Sequence, residues 1–469
     1  MRLLGVRALF VLPLLVVVAG CGTAKQAEPT TTAARPAALR PPAVKKPQPS
    51  YVRVFVFDGD LGTPVKGAVV RVMGLPGRTD GIGRARILLP HRGRLLVTVT
   101  KPGYDPYSQR LNFVNRPLHG VRVYQQKLQW TMYGATPQRT QAHPYIKVRP
   151  PFRIVWSRAA GALLEFPAVV DDGVAFVSNY NGSVRAYLMK NGATVWRRDF
   201  GGMMAASPAV HGKELVVHGM DGYVWVLDRY NGRVLWRYAA GSPIESSPLV
   251  LDGVDYFGDW GGTVTALDLR THKARWTYGS GAKITSSAAY SGGMIFIGDY
   301  GGRLLALSAD SGRLRWSGSV NGRVYGTPAV AGGRVFVSSS TGGSLTAFST
   351  SGARLWSLST GSYVYASPAA WNGRVYIGSY NGVYYCLSAK TGAALWHFTT
   401  AGAIAGASTI VDGIAYFSNR QHRIYGVSAL TGRQVFRFGD GAFVPVSGNG
   451  RRLILHGFSR LYAVEPRHR

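Results

Sequence analysis

Cysteine, acid and long apolar runs are all scarce in this chain of 469 residues. Cys21 and Cys386 are its two cysteines, so a disulfide-stapled scaffold is excluded and a clustered Cys/His metal site has no ligands. No HExxH, GxSxG or GxxxxGK motif occurs, and His211, His218 and His272 occupy unrelated places in the sequence pattern. The apolar run Ala8–Val18 is too short to span a bilayer comfortably. No long amphipathic helical stretch stands out. Acidic residues number 22 against 54 Lys and Arg, giving a formal charge of +32.

What is present points to β-structure. Hydrophobic residues make up 46% and charged ones 16%, enough for a globular chain. Sixty glycines and many aromatic and β-branched residues favour short strands with tight turns. The positive charge is uneven: residues 21–150 hold +16 of it and the much longer segment 151–469 holds +14. Such a field attracts polyanions such as lipid headgroups or acidic wall polymers. An Arg-rich composition with no functional meaning accounts for it equally well.

Residues 1–20 carry Arg2 and Arg7, then the apolar run, then Val18-Ala19-Gly20 before Cys21. This order resembles the signal peptide and lipobox of bacterial lipoproteins. The resemblance implies cleavage before Cys21 and acylation of that cysteine, hence an exported, membrane-anchored protein facing the periplasm or cell exterior. Residues 21–50, rich in Pro, Ala, Thr and cations, read as a flexible tether.

Residues 51–128 alternate polar and apolar in short runs (VRVFVF, AVVRV, RARILL, LLVTVT) separated by Gly, Pro and Asp turns. That pattern predicts a small antiparallel sandwich. The order Gly62-Thr63-Pro64-Val65, Thr79-Asp80-Gly81 and Lys101-Pro102-Gly103-Tyr104 resembles the carboxypeptidase-regulatory-like family of prealbumin-type domains, which implies a non-catalytic accessory module. Residues 129–150 read as a linker.

From residue 151 to 469 one phrase recurs. Trp156, Trp196, Trp236, Trp276, Trp316, Trp356 and Trp396 stand forty residues apart, and Phe436 takes the next place. Each aromatic from Trp196 onward follows a turn phrase such as ALSADSGRLRW, and each interval opens on a Ser/Pro/Ala signal such as SPAVH. Forty residues shared by four strands is the size of one propeller blade. The reading is an all-β chain with an eight-bladed β-propeller behind the small sandwich. The strand at 152–157 should join the last three strands near the C-terminus and close the ring, removing a free sheet edge. The aromatic of each outer strand should dock on the next blade. Cys386 stands in a column of small apolar residues, where a buried thiol packs as a small hydrophobe.

The recurring phrase resembles the tryptophan-docking motif of the pyrroloquinoline-quinone-like propeller family. Quinone-dependent dehydrogenases in that family carry adjacent cysteines and acidic and amide calcium ligands; this chain has no Cys-Cys pair, and Asp259 and Asp299 stand before Gly hairpins, as turn residues do. No cofactor, metal or catalytic residue is expected. A binding surface is expected instead on the face shared by the loops entering the innermost strands and the middle hairpins. It should gather Tyr180, Trp260, Tyr300, Tyr325, Tyr363, Tyr365 and Tyr380 beside Glu245, Lys283 and Arg323. The likeness extends to the lipoprotein propeller subunit of the outer-membrane β-barrel assembly machinery, which implies a monomeric envelope scaffold working through protein contacts. An anionic wall polymer bound by the basic N-terminal half is the alternative; nucleic acid is not expected as a partner.

Overall fold

The computed structural model describes residues 49–467. The expected signal peptide, Cys21 and most of the tether lie outside the described residues. The described residues begin with a two-sheet sandwich. One sheet places strand Ser50–Asp58 between Arg84–Leu89, antiparallel, and Leu118–Val123, parallel. The other orders Leu75–Arg78, Val69–Val72, Arg94–Thr100 and Tyr107–Asn112. Alternation fixes which face is inward: Val52, Val54 and Val56 are fully buried while Tyr51 and Arg53 face out. The core is aliphatic, built on Val70, Val97, Val99 and Ile87 around Phe113.

Beyond residue 151 the described strands form eight antiparallel sheets. Seven are built from consecutive stretches, from Val169–Asp199 to Thr409–Phe438. The eighth combines Val446–Gly448, Leu453–His456 and Arg460–Pro466 with strand Phe152–Ala159 from the start of the repeat region. Trp156 pairs with Ala463 in that register. The innermost strand of the first blade touches that of the eighth, so the sheets form a closed ring. Closure leaves no long free edge between first and last blades.

Seven blades place a tryptophan, and the seventh blade Phe436, on the outermost strand beside a bulge in the ladder, and the ring reaches the next blade. Trp196 Nε1 donates to the Arg229 carbonyl at 2.8 Å, and Trp276 to the Ala309 carbonyl at 2.8 Å. The indole lies on a glycine with positive φ in that neighbour's last turn. A Cβ at Gly232 (φ +72°) would stand 2.6 Å from the Trp196 ring, so no other residue leaves it room. Trp156, Trp316 and Trp356 dock alike on Gly192, Gly352 and Gly392, and Trp396 on Gly432. Trp236 meets His272 instead, stacked at 4.1 Å. Phe436 packs edge-on against Phe152 of the eighth blade, 5.2 Å between centroids. Trp156 and Trp196 are buried; the other five indoles and Phe436 are half-buried.

The Ser/Pro/Ala signals also acquire a structural role. The backbone N–H of Ser207 donates to Ser247 Oγ, that of Ser247 to Ser287 Oγ, that of Ser287 to Thr327 Oγ1, and that of Thr327 to Ser367 Oγ, at 2.8–3.2 Å. A belt of hydroxyls, each forty residues from the last, thus sews five neighbouring blades together around the axis. Cys386 is fully buried in the third strand of the sixth blade, between Tyr376 and Trp396 in register.

Residues 129–150, read from sequence as a linker, are built into the ring. Trp130 exchanges both backbone hydrogen bonds with Val170, and Ala142–His143 adds a parallel strand to the seventh blade. Between them the segment accepts backbone hydrogen bonds from Val210, Tyr290, Val330, Ala370 and Ile410, one position of the innermost strand repeated around the axis. Arg139 is fully buried and donates to the carbonyls of Tyr133, Pro248 and Ala288. Six of the eight inner strands would otherwise present bare N–H groups to the channel; the segment pairs with them. The sandwich docks on the same side. Asp60 accepts from Gln129 at 2.9 Å and from Asn449 at 2.7 Å, and burial pushes its carboxyl up to about 7.

Candidate functional site

The opposite mouth of the ring is built from three columns of the repeat. Positions 163, 165 and 180 of the first blade recur every forty residues, and they carry all ten residues expected on the binding face. The structure brings these ten together. They stand at the ends of the loops that enter the innermost strands and on the central hairpins. Asp259 Oδ1 accepts the N–H of Thr263 at 3.0 Å, and Asp299 Oδ1 that of Arg303 at 3.0 Å, so both aspartates shape hairpins.

At the centre two carboxylates meet across the ring. Tyr325 Oη lies 2.8 Å from Glu245 Oε1 and 3.0 Å from Glu165 Oε1. A phenol has one hydrogen to donate, so one of the two carboxyls supplies the other hydrogen. Desolvation raises the Glu165 pKa, against the hydrogen bonds it accepts from Tyr180 and Tyr325. Glu245, almost buried, also accepts from Trp260 Nε1 at 2.9 Å. Both carboxyl groups are therefore engaged by aromatic donors.

Around this centre the aromatics interlock. Tyr365 lies 5.8 Å from Tyr325 and 5.1 Å from Tyr380, and Tyr363 6.0 Å from Tyr365. Lys283 Nζ sits 3.2 Å over the Trp260 ring and 5.2 Å from Tyr300, with Arg323 5.5 Å from the same tyrosine. Desolvation holds the Lys283 ammonium below its ordinary range. Tyr363 is 51% exposed and Trp260 38%, so the rim presents open aromatic surface while the centre is spent on internal bonds.

Glu165 and Arg420 also belong to this crown, and the sequence reading passed over both. Arg420 Nη1 lies 3.4 Å from the Tyr380 hydroxyl. Both occupy the repeating columns, Glu165 in that of Glu245, Tyr325 and Tyr365, so column alignment was the available signal. A second acidic group, Asp105, Asp171 and Asp172, brings three carboxylates within 4.8 Å of one another at the sandwich boundary. There the Arg229 guanidinium pairs with both Asp171 and Asp172, in the place a cation would take. Neither site suits a quinone of the dehydrogenase type: the cysteine pair is missing, and the crown's carboxylates already serve Tyr180, Tyr325 and Trp260.

Among solved structures the chain is similar to BamB from Moraxella catarrhalis, with a TM-score of 0.58 at 17% identity, covering 68% of this chain and 99% of that one. It is similar too to the computationally designed Ika8 protein (TM-score 0.59, 14% identity, 66% and 97% covered). The quinohemoprotein alcohol dehydrogenase from Comamonas testosteroni gives a TM-score of 0.64 at 13% identity, covering 73% and 81%. At such identities these likenesses show the β-propeller fold alone. No curated protein matches the chain. The family described as outer membrane protein assembly factor BamB matches at residues 148–283, 260–370 and 341–467, which together take in every blade. The chain belongs to the family of the outer membrane protein assembly factor BamB.

Proposed function

We propose that this protein is a lipid-anchored, non-catalytic scaffold of the cell envelope that binds a protein partner through the aromatic crown. Family membership supports an envelope scaffold in general, and the crown supplies the specific surface. The observation that carries the reading is the convergence of Tyr180, Trp260, Tyr300, Tyr325, Tyr363, Tyr365 and Tyr380 from five blades onto one mouth. Rigid aromatics with few rotatable bonds, flanked by Lys283, Arg323 and Arg420, suit a protein interface: they cover area at small entropic cost. A carboxyl pair already bonded to tyrosines favours positioning over proton transfer. Export and acylation at Cys21 rest on the lipobox, and the accessory role of the sandwich on its family resemblance.

In-cell photocrosslinking tests the reading. A crosslinker at Tyr363 should trap a discrete envelope protein, whereas one at Leu355, 43% exposed on an outer strand, should not. Equal yields from the two positions, or none from Tyr363, would remove the crown as the binding surface.

A further inference from the structure

Charge and apolar exposure are polarised along the sandwich. Its first strand runs the length of the domain, roughly 25–30 Å at 3.3 Å per residue, from Ser50 to Asp58. Asp58 and Asp60, at the far end, are buried, and Asp60 is bonded to the propeller through Asn449. Asp105 bonds Gln126 at that same end, and Asp80 pairs with Arg84 beside it. These are all the acids of residues 51–128. At the other end, where the chain enters the domain, there is none.

That end is instead apolar and cationic. Tyr51 and Leu88 stand opposite each other in register, 49% exposed each, and Leu118 is 44% exposed on the adjoining strand. Val114 lies in the neighbouring loop, which joins the loop at Gly93 through the Phe113 N–H. Immediately behind are Arg53 and Arg86, paired in register, with the Arg86 guanidinium 3.6 Å over the Tyr51 ring. Arg92 and Arg116 project from the same two loops, both exposed. None of these four arginines pairs with a carboxylate among the described residues. Exposed Tyr51 and Leu88 cost solubility in water, and guanidiniums without a carboxylate partner, rooted two residues further along the same strands, match phosphate in a headgroup layer.

From this placement we infer that the sandwich end remote from the propeller docks on an anionic phospholipid surface, with Tyr51 and Leu88 entering the interface and Leu118, in register with Arg53, lying at the level where Arg53 and Arg86 meet phosphates. A soluble polyanion would use the cations alone and leave the apolar tip in water. Docking of this kind holds the propeller at the far end of the sandwich, with its crown free.

The test uses the full chain carrying Cys21→Ser, so that no acyl chain contributes, and Leu118→Cys labelled with a nitrobenzoxadiazole fluorophore; Cys386 is buried. Mixed with vesicles of phosphatidylglycerol and phosphatidylcholine, the label should brighten and shift to the blue, and pure phosphatidylcholine should leave it unchanged. Arg53→Gln with Arg86→Gln should weaken vesicle binding by roughly 10–30-fold. Unchanged emission on anionic vesicles, or undiminished binding by the double variant, would overturn the inference. So would a response to polyphosphate without one to vesicles, which assigns the tip to a soluble polymer. Crosslinking at Tyr363 reads a different surface and stands or falls separately.

Discussion

A single indole shows how this fold is held. Trp316 reaches from the fourth blade to the fifth, donating to the Thr350 carbonyl at 2.9 Å and lying on Gly352. Dispersion against the glycine backbone and one hydrogen bond act together, and neither survives if the blades part. The ring is half-buried, so Trp316→Ala should cost about 2–3 kcal/mol, short of the 3–5 typical of a fully buried tryptophan. Urea unfolding of the variant checks this; an unmoved midpoint would show that the indole does not join blades. His272 explains why one repeat departs from the phrase. It holds a positive φ of 60° where its counterparts are glycine, and its ring stacks on Trp236.

At the scale of an element, the segment 129–143 carries the most unexpected work. Its backbone completes hydrogen bonds that six inner strands would otherwise leave open in the channel. Arg139 is its pin. The guanidinium is fully buried, and desolvation pulls its pKa down to about 10, so it keeps its charge at neutral pH. Carbonyls of Tyr133, Pro248 and Ala288 satisfy that charge in place of water. Arg139→Met should therefore cost about 3–5 kcal/mol, because three buried acceptors lose their donor at once. Hydrogen exchange gives the sharper readout: the amides of Val210, Tyr290 and Val330 should exchange faster in the variant, while outer-strand amides keep their rates. Uniform protection in both proteins would show the segment to be dispensable.

At the scale of the whole molecule, stability depends on closing the ring. The eighth blade takes its last strand from residues 152–159, and His456 fastens it to the first blade. Its Nε2 accepts the Ala168 N–H at 2.9 Å, and Nδ1 faces the Pro445 carbonyl at 3.3 Å. Those partners require a neutral imidazole protonated at Nδ1, and burial lowers its pKa to about 4. The unfolded chain, with an ordinary histidine near 6.5, binds the proton more readily. The contribution of this joint is complete above pH 6.5 and declines as pH falls toward 4, by about 3 kcal/mol. Melting temperature measured from pH 7 to pH 4 should fall, and His456→Gln should flatten that limb. A variant with the parent's full acid sensitivity would rule out His456 as its source.

Much of this was legible in the chain itself. The forty-residue pitch is visible because six of the eight blades set a tryptophan on a neighbour's turn glycine and the other two an aromatic in the same place, and a repeated physical need leaves a repeated letter. The crown was legible for a related reason: its residues sit at fixed places in that repeat, and Glu165 and Arg420 occupy two of the same columns. Alternation likewise marked the sandwich strands, since Val52, Val54 and Val56 face one core.

What only the tertiary structure decided has no period. QWTMYGATPQRTQAH, residues 129–143, alternates with nothing and resembles a loop; its partners are backbone groups up to about 270 residues away along the chain, which leave no trace in side-chain identity. The bridging of Glu165 and Glu245 by Tyr325 arises the same way, from residues 80 and 160 positions apart that meet only when the ring closes. Sequence by itself determined the modules, because each is specified by contacts within one repeat or between adjacent ones. Structure decided what fills the axis and which carboxyls meet across it, because those outcomes depend on distances across the whole ring.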